Sequence, residues 1–361
     1  MAHITTNFLA ESPLAPKARQ ALGAAFDQGW ADPRKLAHSA AKARVLKDGA
    51  LASLGHHLGL RPDEIEILGE PALGHFYAIA GLLGPGDLLA HSKVDRKEVI
   101  ALARSRQKVA ELCVQASGQI APTALQAYSK SDGVLALQIA NGETGVVQDV
   151  EALIANAGLL RIAADFTSAG TRVPLPSRWN SAFFEARSWQ GPQAVGILAI
   201  NSQASWKSPL PHLGSTRAPQ SASLPLTIAA AVALEEWQEN EKSEVLRLRI
   251  MSRELRERIS SAIAHCDIAG NLDQSLPHIT SFSFLYVEGE ELLRRLEVSG
   301  FAVDSGSACT AEDLQPSHVL AEMGVLTHGN IRITLHRDST ASQVADLAKA
   351  IESAVTDLRS A

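Results

Sequence analysis

The strongest constraint on the fold of this chain is an alternation of segments with a helical period and short apolar runs rich in β-branched residues. Such alternation is typical of a mainly parallel β-sheet covered by helices, and it predicts an α/β protein. The predicted strands include residues 64–68, 134–140, 160–165 and 195–200, and the predicted helices include residues 16–30, 41–58, 73–83 and 150–157.

The pattern changes after about residue 225, where a smaller unit is predicted. Residues 241–264 form one amphipathic helix in this interpretation, followed by a strand at 279–287, a helix at 290–298, a strand at 331–335 and a closing helix near 342–358. The apolar face of the first of these helices consists of Val245, Leu248, Met251, Leu255, Ile259 and Ala262. The order predicts a large α/β domain of residues 14–236 and a small α+β domain of residues 1–13 and 237–361.

The composition argues against nucleic acid or a membrane as the primary partner. The 361 residues have a formal net charge of −6, so no basic surface for an anionic polymer or an anionic membrane is expected. No apolar run approaches the roughly 20 residues that a membrane-spanning helix needs. Residues 1–8 have neither the basic nor the apolar part of a secretory signal, so none is expected.

The cysteines indicate a reducing compartment. Cys113, Cys266 and Cys309 are odd in number, widely spaced and in no CxxC arrangement. A disulfide framework or a zinc site is therefore not expected, no metal site is predicted, and a cytoplasmic location is predicted. Cys113 and Cys266 stand in apolar contexts, and for both we predict the ordinary role of a small buried side chain.

Four stretches of sequence together indicate a family. Residues 140–149 read Ala-Asn-Gly-Glu-Thr-Gly-Val-Val-Gln-Asp, residues 164–167 read Ala-Asp-Phe-Thr, and residues 190–196 read Gln-Gly-Pro-Gln-Ala-Val-Gly. Residues 303–310 read Val-Asp-Ser-Gly-Ser-Ala-Cys-Thr and are followed at 331–337 by Ile-Arg-Ile-Thr-Leu-His-Arg. In this order and at this spacing they resemble the cysteine desulfurases, members of the class V aminotransferase group with the fold type I architecture. The resemblance extends from about Phe8 to the last predicted helix.

The resemblance implies a pyridoxal phosphate site. In the family, the acid at the position of Asp165 pairs with the pyridine nitrogen of the cofactor and keeps it protonated, so that the ring accepts electrons. Ser223 stands where the family has a threonine, supplied by the second subunit, that contacts the phosphate. From the residue alone, the alternative is an acid that accepts backbone hydrogen bonds at a strand end or a helix start, and the family context favours an inherited cofactor position.

The resemblance also implies substrate-binding and sulfur-carrying residues. Cys309 corresponds to the cysteine that attacks the substrate sulfur and becomes a persulfide, and its Gly/Ser-rich surroundings favour an accessible loop over burial. Arg332 corresponds to the arginine that grips the substrate carboxylate, and an ordinary ion pair is the alternative. Asn141 lies in the loop that reaches the cofactor and substrate in the family, or else stabilises a turn.

The sequence departs from the family pattern at the cofactor site. The position of the Schiff-base lysine is Ser188, whose hydroxyl cannot form an imine with an aldehyde. The serine that binds the cofactor phosphate is replaced by Glu185, and the Gly-Ala-Thr phosphate cradle reads Glu-Pro-Ala at 70–72, where Pro71 has no N–H to donate. The histidine that stacks on the pyridine ring aligns with Asp95. Binding of pyridoxal phosphate is therefore doubtful, and the sequence leaves open whether Glu185 and Arg187 form an ion pair that fills the phosphate position.

Three functions follow from this pattern of retention and loss. The leading hypothesis is a cysteine desulfurase-like protein, degenerate for pyridoxal phosphate catalysis, that uses the Cys309 loop in persulfide transfer or iron–sulfur cluster assembly. The second is an active desulfurase or class V enzyme with an unusual pocket, and the third is a non-catalytic dimer partner of a true desulfurase. The expected partners are a second copy or a desulfurase in a dimer, and a sulfur acceptor or iron–sulfur scaffold protein.

Overall fold

The structure is a computed structural model, and it describes residue 4 and residues 6–28, 31–212, 217–219, 222–305 and 316–360. The strands are β1 (Thr6–Phe8), β2 (Ile65–Leu68), β3 (Leu88–Ser92), β4 (Val109–Leu112), β5 (Gly133–Gln138), β6 (Arg161–Asp165), β7 (Ser181–Glu185), β8 (Gly196–Ile200), β9 (Cys266–Ile268), β10 (Ile279–Phe284), β11 (Phe301–Val303) and β12 (Ile331–Thr334). The helices are α1 (Pro16–Asp27), α2 (His38–Leu58), α3 (Gly74–Ala80), α4 (Lys97–Arg104), α5 (Val150–Asn156), α6 (Leu224–Gln238), α7 (Glu241–Ala262), α8 (Gly289–Val298), α9 (His318–Met323) and α10 (Ala341–Ser360).

A seven-stranded sheet forms the centre of the described chain, in the order β2-β8-β7-β6-β5-β3-β4. The neighbouring strands β4, β3, β5, β6 and β7, in that order across the sheet, pair in parallel. By contrast, β8 runs antiparallel to both β7 and β2. Every residue of β5 and β8 is buried, as expected for strands that are covered on both faces. The predicted α/β fold with a mainly parallel sheet is thus confirmed.

The later part of the chain builds a separate antiparallel sheet in the order β12-β10-β9. Its apolar cluster includes Leu255 of α7, Phe282 of β10 and Leu347 of α10, whereas the larger cluster around the central sheet includes Phe184 and Trp189. A bridge between Asp304 and Arg332 connects β12 to the segment after β11. The predicted domain limits at 13/14 and 236/237 stay a prediction.

The parallel strands bring the motif residues to one edge of the central sheet. Asn141 follows β5, Asp165 ends β6, and Ser188 follows β7 in a short 3₁₀ helix at residues 186–189. Because the carboxyl ends of parallel strands meet at the same edge, residues far apart in the sequence converge there. Asp149, the last residue of the first motif, caps α5 by accepting a hydrogen bond from the Ala152 backbone N–H at 3.3 Å.

Candidate functional site

A cleft of about 970 Å³ opens at the carboxyl edge of the central sheet. One side is formed by loops that follow the parallel strands, at residues 93–98, 141–143, 167–168 and 187–188, and the other side includes β12 and residues 334–337. Asn141, Ser188 and Arg332 line this cleft, so the structure brings these three predicted site residues together. A cleft of this size suits a small-molecule ligand.

Asp165 is buried beneath the cleft, and its carboxylate is bound by other groups of the chain. Its Oδ1 accepts hydrogen bonds from the backbone N–H of Thr167 at 2.8 Å and from the Thr167 hydroxyl at 2.6 Å. Its Oδ2 forms ion pairs with His75 Nε2 at 3.1 Å and Arg96 Nε at 3.5 Å, and neither nitrogen has hydrogen-bond geometry. Burial by itself raises the pKa of Asp165, but His75, Arg96 and Thr167 together hold it well below its ordinary value.

Asp165 does not itself line the large cleft. It borders instead a void of about 10 Å³, which is about the size of one water molecule. The His75 ring meets the Phe183 ring edge-on, with the two centroids 5.2 Å apart, and both side chains line this void. This small space adjoins the large cleft, because Asp95 and Gln138 line both.

His75 and Arg96 were missed by the sequence analysis. His75 is the second residue of α3 and stands three residues after the segment 70–72 that aligns with the phosphate cradle. Arg96 follows Asp95, the residue aligned with the stacking histidine, and it also donates a hydrogen bond to the Ser168 hydroxyl at 2.9 Å. A shift of that alignment by one residue places Arg96 at the position of the stacking histidine. This was the sequence signal that could have identified Arg96.

Ser188 is held by its own 3₁₀ helix. Its hydroxyl donates a hydrogen bond to the Glu185 carbonyl at 2.8 Å, and its carbonyl accepts one from Arg172 Nη1 at 2.8 Å. The side chains of Glu185 and Arg187 form an ion pair, which answers a question that the sequence left open. The negative charge of Glu185, at the predicted phosphate position, is thus balanced by Arg187 of the same chain.

The segment that aligns with the phosphate cradle has no helix N-terminus open to a phosphate. Pro71–Leu73 form a 3₁₀ turn, and α3, only seven residues long, begins after it at Gly74. A Cβ atom at Gly74 would lie 1.9 Å from Cζ of Phe183, so the start of this helix is pressed directly against β7. Within this turn the backbone N–H of Leu73 donates to the Glu70 carbonyl at 3.2 Å and the N–H of Gly74 donates to the Pro71 carbonyl.

Asp95 is buried in a turn and is not a stacking group. Its Oδ2 accepts a hydrogen bond from the Ser92 backbone N–H at 2.8 Å, and only 2% of the residue is exposed. Burial raises the pKa of Asp95 to about 8, nearby Asp165 adds to the increase, and the Ser92 hydrogen bond and Arg96 oppose it. The acid is therefore largely protonated at neutral pH.

Arg332 faces the cleft from β12 and is partly engaged. Its Nη2 pairs with Asp304 Oδ2 at 2.5 Å, its Nη1 donates to the Gly142 carbonyl at 3.1 Å, and its Nε is buried without a hydrogen-bond partner. Across the cleft, Oε1 of Glu143 also lacks a partner, and burial raises the pKa of Glu143 to about 7, against the effects of Ser317 and Arg332. These groups are suited to bind a polar ligand.

Asn141 is fully used by the turn that contains it. Its Oδ1 accepts from the backbone N–H groups of Glu143 and Thr144 at 2.9 and 3.0 Å, and its Nδ2 donates to the Val94 carbonyl at 3.1 Å. Ser223, by contrast, does not line the cleft; it precedes α6, and its carbonyl accepts the first hydrogen bond of that helix from the Thr227 N–H at 2.9 Å. The proposed cofactor and substrate roles of both residues stay predictions.

The structure corrects one prediction about the cysteines. Cys113 is exposed at the end of β4, not buried, and its hydrogen bond with Lys93 raises the pKa of that lysine. The reason is that β4 is the edge strand of the central sheet. Cys266 is half-buried, and burial, reinforced by Asp267, raises the pKa of its thiol to about 12. Cys309 lies outside the described residues, so its role stays a prediction.

The fold is that of the fold type I aminotransferases. A solved NifS-like protein superimposes with a TM-score of 0.86 at 20% identity, covering 99% of this chain and 100% of that one. The apo structure of a cysteine desulfurase from Thermococcus onnurineus NA1 has a TM-score of 0.82 at 16% identity, covering 97% of this chain and 94% of the other.

A sequence profile of the class V aminotransferases matches residues 79–347, so the chain belongs to this family, whose members depend on pyridoxal phosphate. Among curated relatives, cysteine desulfurase IscS of Serratia proteamaculans is 27% identical, with 99% of this chain and 93% of the relative covered. The IscS of Pseudomonas syringae pv. tomato is 29% identical, with 80% of this chain and 73% of the relative covered.

Among the described residues, every helix is too short or too polar to span a membrane.

Proposed function

We propose that this chain is a cysteine desulfurase-like protein that has given up pyridoxal phosphate catalysis and that transfers sulfur through Cys309. The proposal combines the family membership with the sequence motif at 303–310, which resembles the sulfur-carrying loop of the desulfurases. It also assigns the protein to the cytoplasm, where a free thiol stays reduced.

The observation that carries the proposal is that groups of the chain itself already contact the carboxylate of Asp165. In a working enzyme of this family, the carboxylate at this position is available to the cofactor ring. Here it is in contact with His75, Arg96 and Thr167, and it borders a void of about 10 Å³. A pyridine ring would have to displace Arg96 and His75 from a buried carboxylate, which costs several kcal/mol, on the order of 3–5 for a buried pair.

The other cofactor contacts are compromised independently. Ser188 offers a hydroxyl where an amine is required, Glu185 offers a carboxylate where a phosphate would lie, and Pro71 lacks an N–H in the cradle segment. Glu185 is itself paired with Arg187, so that the charge of its carboxylate is balanced without a cofactor. The residues present do not fit pyridoxal phosphate.

The sulfur transfer that we propose balances without a redox cofactor. The Cys309 thiolate attacks the terminal sulfur of a donor persulfide, the S–S bond of the donor breaks, and the donor thiolate leaves. An acceptor thiolate then attacks the terminal sulfur on Cys309 and restores the Cys309 thiolate. The donor is a persulfide on a protein or small thiol, and we propose a sulfur acceptor or an iron–sulfur scaffold protein as the recipient, within a dimer of this chain with itself or with a desulfurase.

The absence of cofactor binding is tested by a visible absorption spectrum. Purified protein is incubated with pyridoxal phosphate, freed of excess cofactor and scanned where a pyridoxal Schiff base absorbs. We expect no band, and sulfide release from free cysteine no greater than in a protein-free control. A band together with sulfide release would mean that the chain is an active enzyme of its family.

The role of Cys309 is tested by mass spectrometry after incubation with a persulfide donor. We expect one added sulfur atom on the peptide that contains Cys309, and loss of transfer to an acceptor thiol in Cys309→Ser. The matched controls are Cys113→Ser, which removes an exposed thiol, and Cys266→Ser, which removes a half-buried one. Full transfer by Cys309→Ser, or its loss only in Cys113→Ser, contradicts the assignment.

A further inference from the structure

Helix α9 forms part of the cleft wall and is held there by contacts with other elements. It has six residues and ends at Gly324, whose backbone is left-handed. A helix this short has little stability of its own, so its position depends on its tertiary contacts. Its buried residues Val319, Leu320 and Met323 pack in a small apolar cluster with Val94. The polar contacts of α9 therefore matter for where the helix lies.

Two of these polar contacts lead to the turn that follows β3. His318 Nε2, at the start of α9, lies at hydrogen-bond distance, 3.0 Å, from the carbonyl oxygen of Asp95. Glu322 pairs with Lys93 Nζ at 3.7 Å, and both side chains are partly exposed. Exposed pairs of this kind contribute little to stability. The remaining polar contact, at the helix start, is the more consequential one.

Glu143, in the loop after β5, contacts the cap of α9. Its carboxyl group forms a hydrogen bond with the hydroxyl of Ser317, the N-cap residue of the helix. The same hydroxyl accepts a hydrogen bond from the Leu320 N–H at 3.2 Å. Oε1 of Glu143 is buried and has no hydrogen-bond partner. A buried carboxyl group with one free oxygen thus connects the helix cap to this loop.

The charged groups around Glu143 are engaged with other acids. Arg332 of β12 faces Glu143, but its Nη2 pairs with Asp304. Arg96, in the turn after β3, lies next to the residue that precedes Glu143 and pairs with Asp165. The two ionisable side chains of α9 are bound to the turn after β3, as described above. Among the described residues, no cation forms an ion pair with Glu143.

Burial without an ion pair favours the neutral form of this acid. Burial raises the pKa of Glu143 from its ordinary value of 4.5 to about 7, and Ser317 and Arg332 oppose the increase. Above about pH 7 the carboxylate is charged in a buried place, a cost that contact with water removes. The loop is held by the hydrogen bonds of Asn141, and β12 is held in its ladder with β10. The short α9 is therefore the element that can give way.

We propose that Glu143 is a proton-controlled anchor for α9: the helix stays packed in the cleft wall while the carboxyl group is neutral and detaches more readily when it ionises. The inference goes beyond the proposed function, because it holds whether or not the chain transfers sulfur. Since residues of α9 line the cleft, the protonation state of Glu143 also changes how that wall is held.

The expected pH dependence has a definite sign. When α9 detaches, Glu143 meets water and its pKa falls towards 4.5. The packed helix then binds a proton that the detached one releases. The stability of the packed helix is therefore greatest below about pH 4.5, decreases as the pH rises to about 7, and changes little above that value.

Hydrogen–deuterium exchange of the full-length protein tests the proposal, with mass spectrometry of a peptide that covers residues 317–325. The intrinsic exchange rate at each pH is divided by the observed rate, which gives a protection factor that reports the opening of α9. In the wild type we expect this factor to be at least about tenfold lower at pH 8 than at pH 5. Equal protection factors at the two pH values would overturn the proposal.

Variants assign the effect to one acid. Glu143→Gln stays neutral at every pH, and we expect its protection factor to change less than about twofold between pH 5 and pH 8. Asp95 also titrates in this range, but it remains in this variant, so a lost pH dependence identifies Glu143. The matched control is Glu322→Gln, which removes the acid of α9 and its pair with Lys93 and is expected to keep the tenfold change. A pH dependence that persists in Glu143→Gln, or that disappears equally in Glu322→Gln, contradicts the assignment.

The shape of the wild-type curve decides if Glu143→Gln does not fold by circular dichroism. A protection factor that decreases between about pH 4.5 and 7 and then levels off supports the anchor. A decrease that begins only above pH 8 overturns it. The exchange experiment uses neither pyridoxal phosphate nor a persulfide, so the anchor and the proposed function fail separately.

Discussion

At the residue scale, the loss of the lysine is only one of several changes. Ser188→Lys alone is expected not to restore cofactor binding, because Asp165 remains paired with His75 and Arg96. The measurement is the visible spectrum after incubation with pyridoxal phosphate, with Ser188→Met as the matched control. A Schiff-base band in Ser188→Lys that is absent from Ser188→Met would mean that the lysine was the only missing part.

The contacts of Asp165 make a pH-dependent contribution to stability. Its pKa is lowered in the folded protein, so its stabilisation is present above the unfolded-state value of about 3.9 and is lost as the pH falls towards the folded-state value. Asp165→Asn is expected to lower the free energy of unfolding by about 3–5 kcal/mol at pH 7, and by progressively less as the pH falls from about 4 towards the folded-state pKa. Urea unfolding measures both.

The matched control for Asp165→Asn is Asp346→Asn, which removes an exposed pair with Lys349 and is expected to change stability little. If the loss caused by Asp165→Asn is the same at pH 3 and pH 7, the ion pairs of Asp165 do not contribute as described.

The pH-dependent contribution of Asp95 to stability has the opposite sign. Its pKa is raised to about 8, so the folded state holds a proton that the unfolded chain releases at about pH 3.9. The resulting cost is absent below about pH 4 and grows up to about pH 8. Asp95→Asn keeps an acceptor for the Ser92 N–H and is expected to raise the free energy of unfolding at pH 7 by about 1–4 kcal/mol, and hardly at pH 4. A loss at pH 7 would contradict this.

At the element scale, α3 connects the altered phosphate cradle to Asp165. Gly74 is pressed against Phe183, and His75 is the next residue. Gly74→Ala is expected to cost about 1–3 kcal/mol by overpacking, whereas Gly49→Ala in α2, where a Cβ meets nothing within 4 Å, is expected to gain up to about 1 kcal/mol. Equal effects of the two substitutions on thermal unfolding would show that α3 is not tightly seated.

At the scale of the whole molecule, the sequence indicated the fold more completely than the site. Strands such as β5 and β6 were predictable because buried parallel strands are continuous apolar runs. Asn141, Ser188 and Arg332 were predictable as cleft residues because each lies in a motif with fixed spacing. The pairing of Asp165 with His75 and Arg96 was not, since it depends on α3 and the turn after β3 packing against the end of β6.

Loss of cofactor binding requires that the carboxylate of Asp165 be fully paired by groups of the chain itself. The most direct measurement is a crystal structure of the protein grown with excess pyridoxal phosphate. We predict His75 Nε2 at ion-pair distance from Asp165 Oδ2, close to 3.1 Å, and no density for the cofactor beside it. Density for a pyridine ring bound to Asp165, with His75 displaced, would contradict the account.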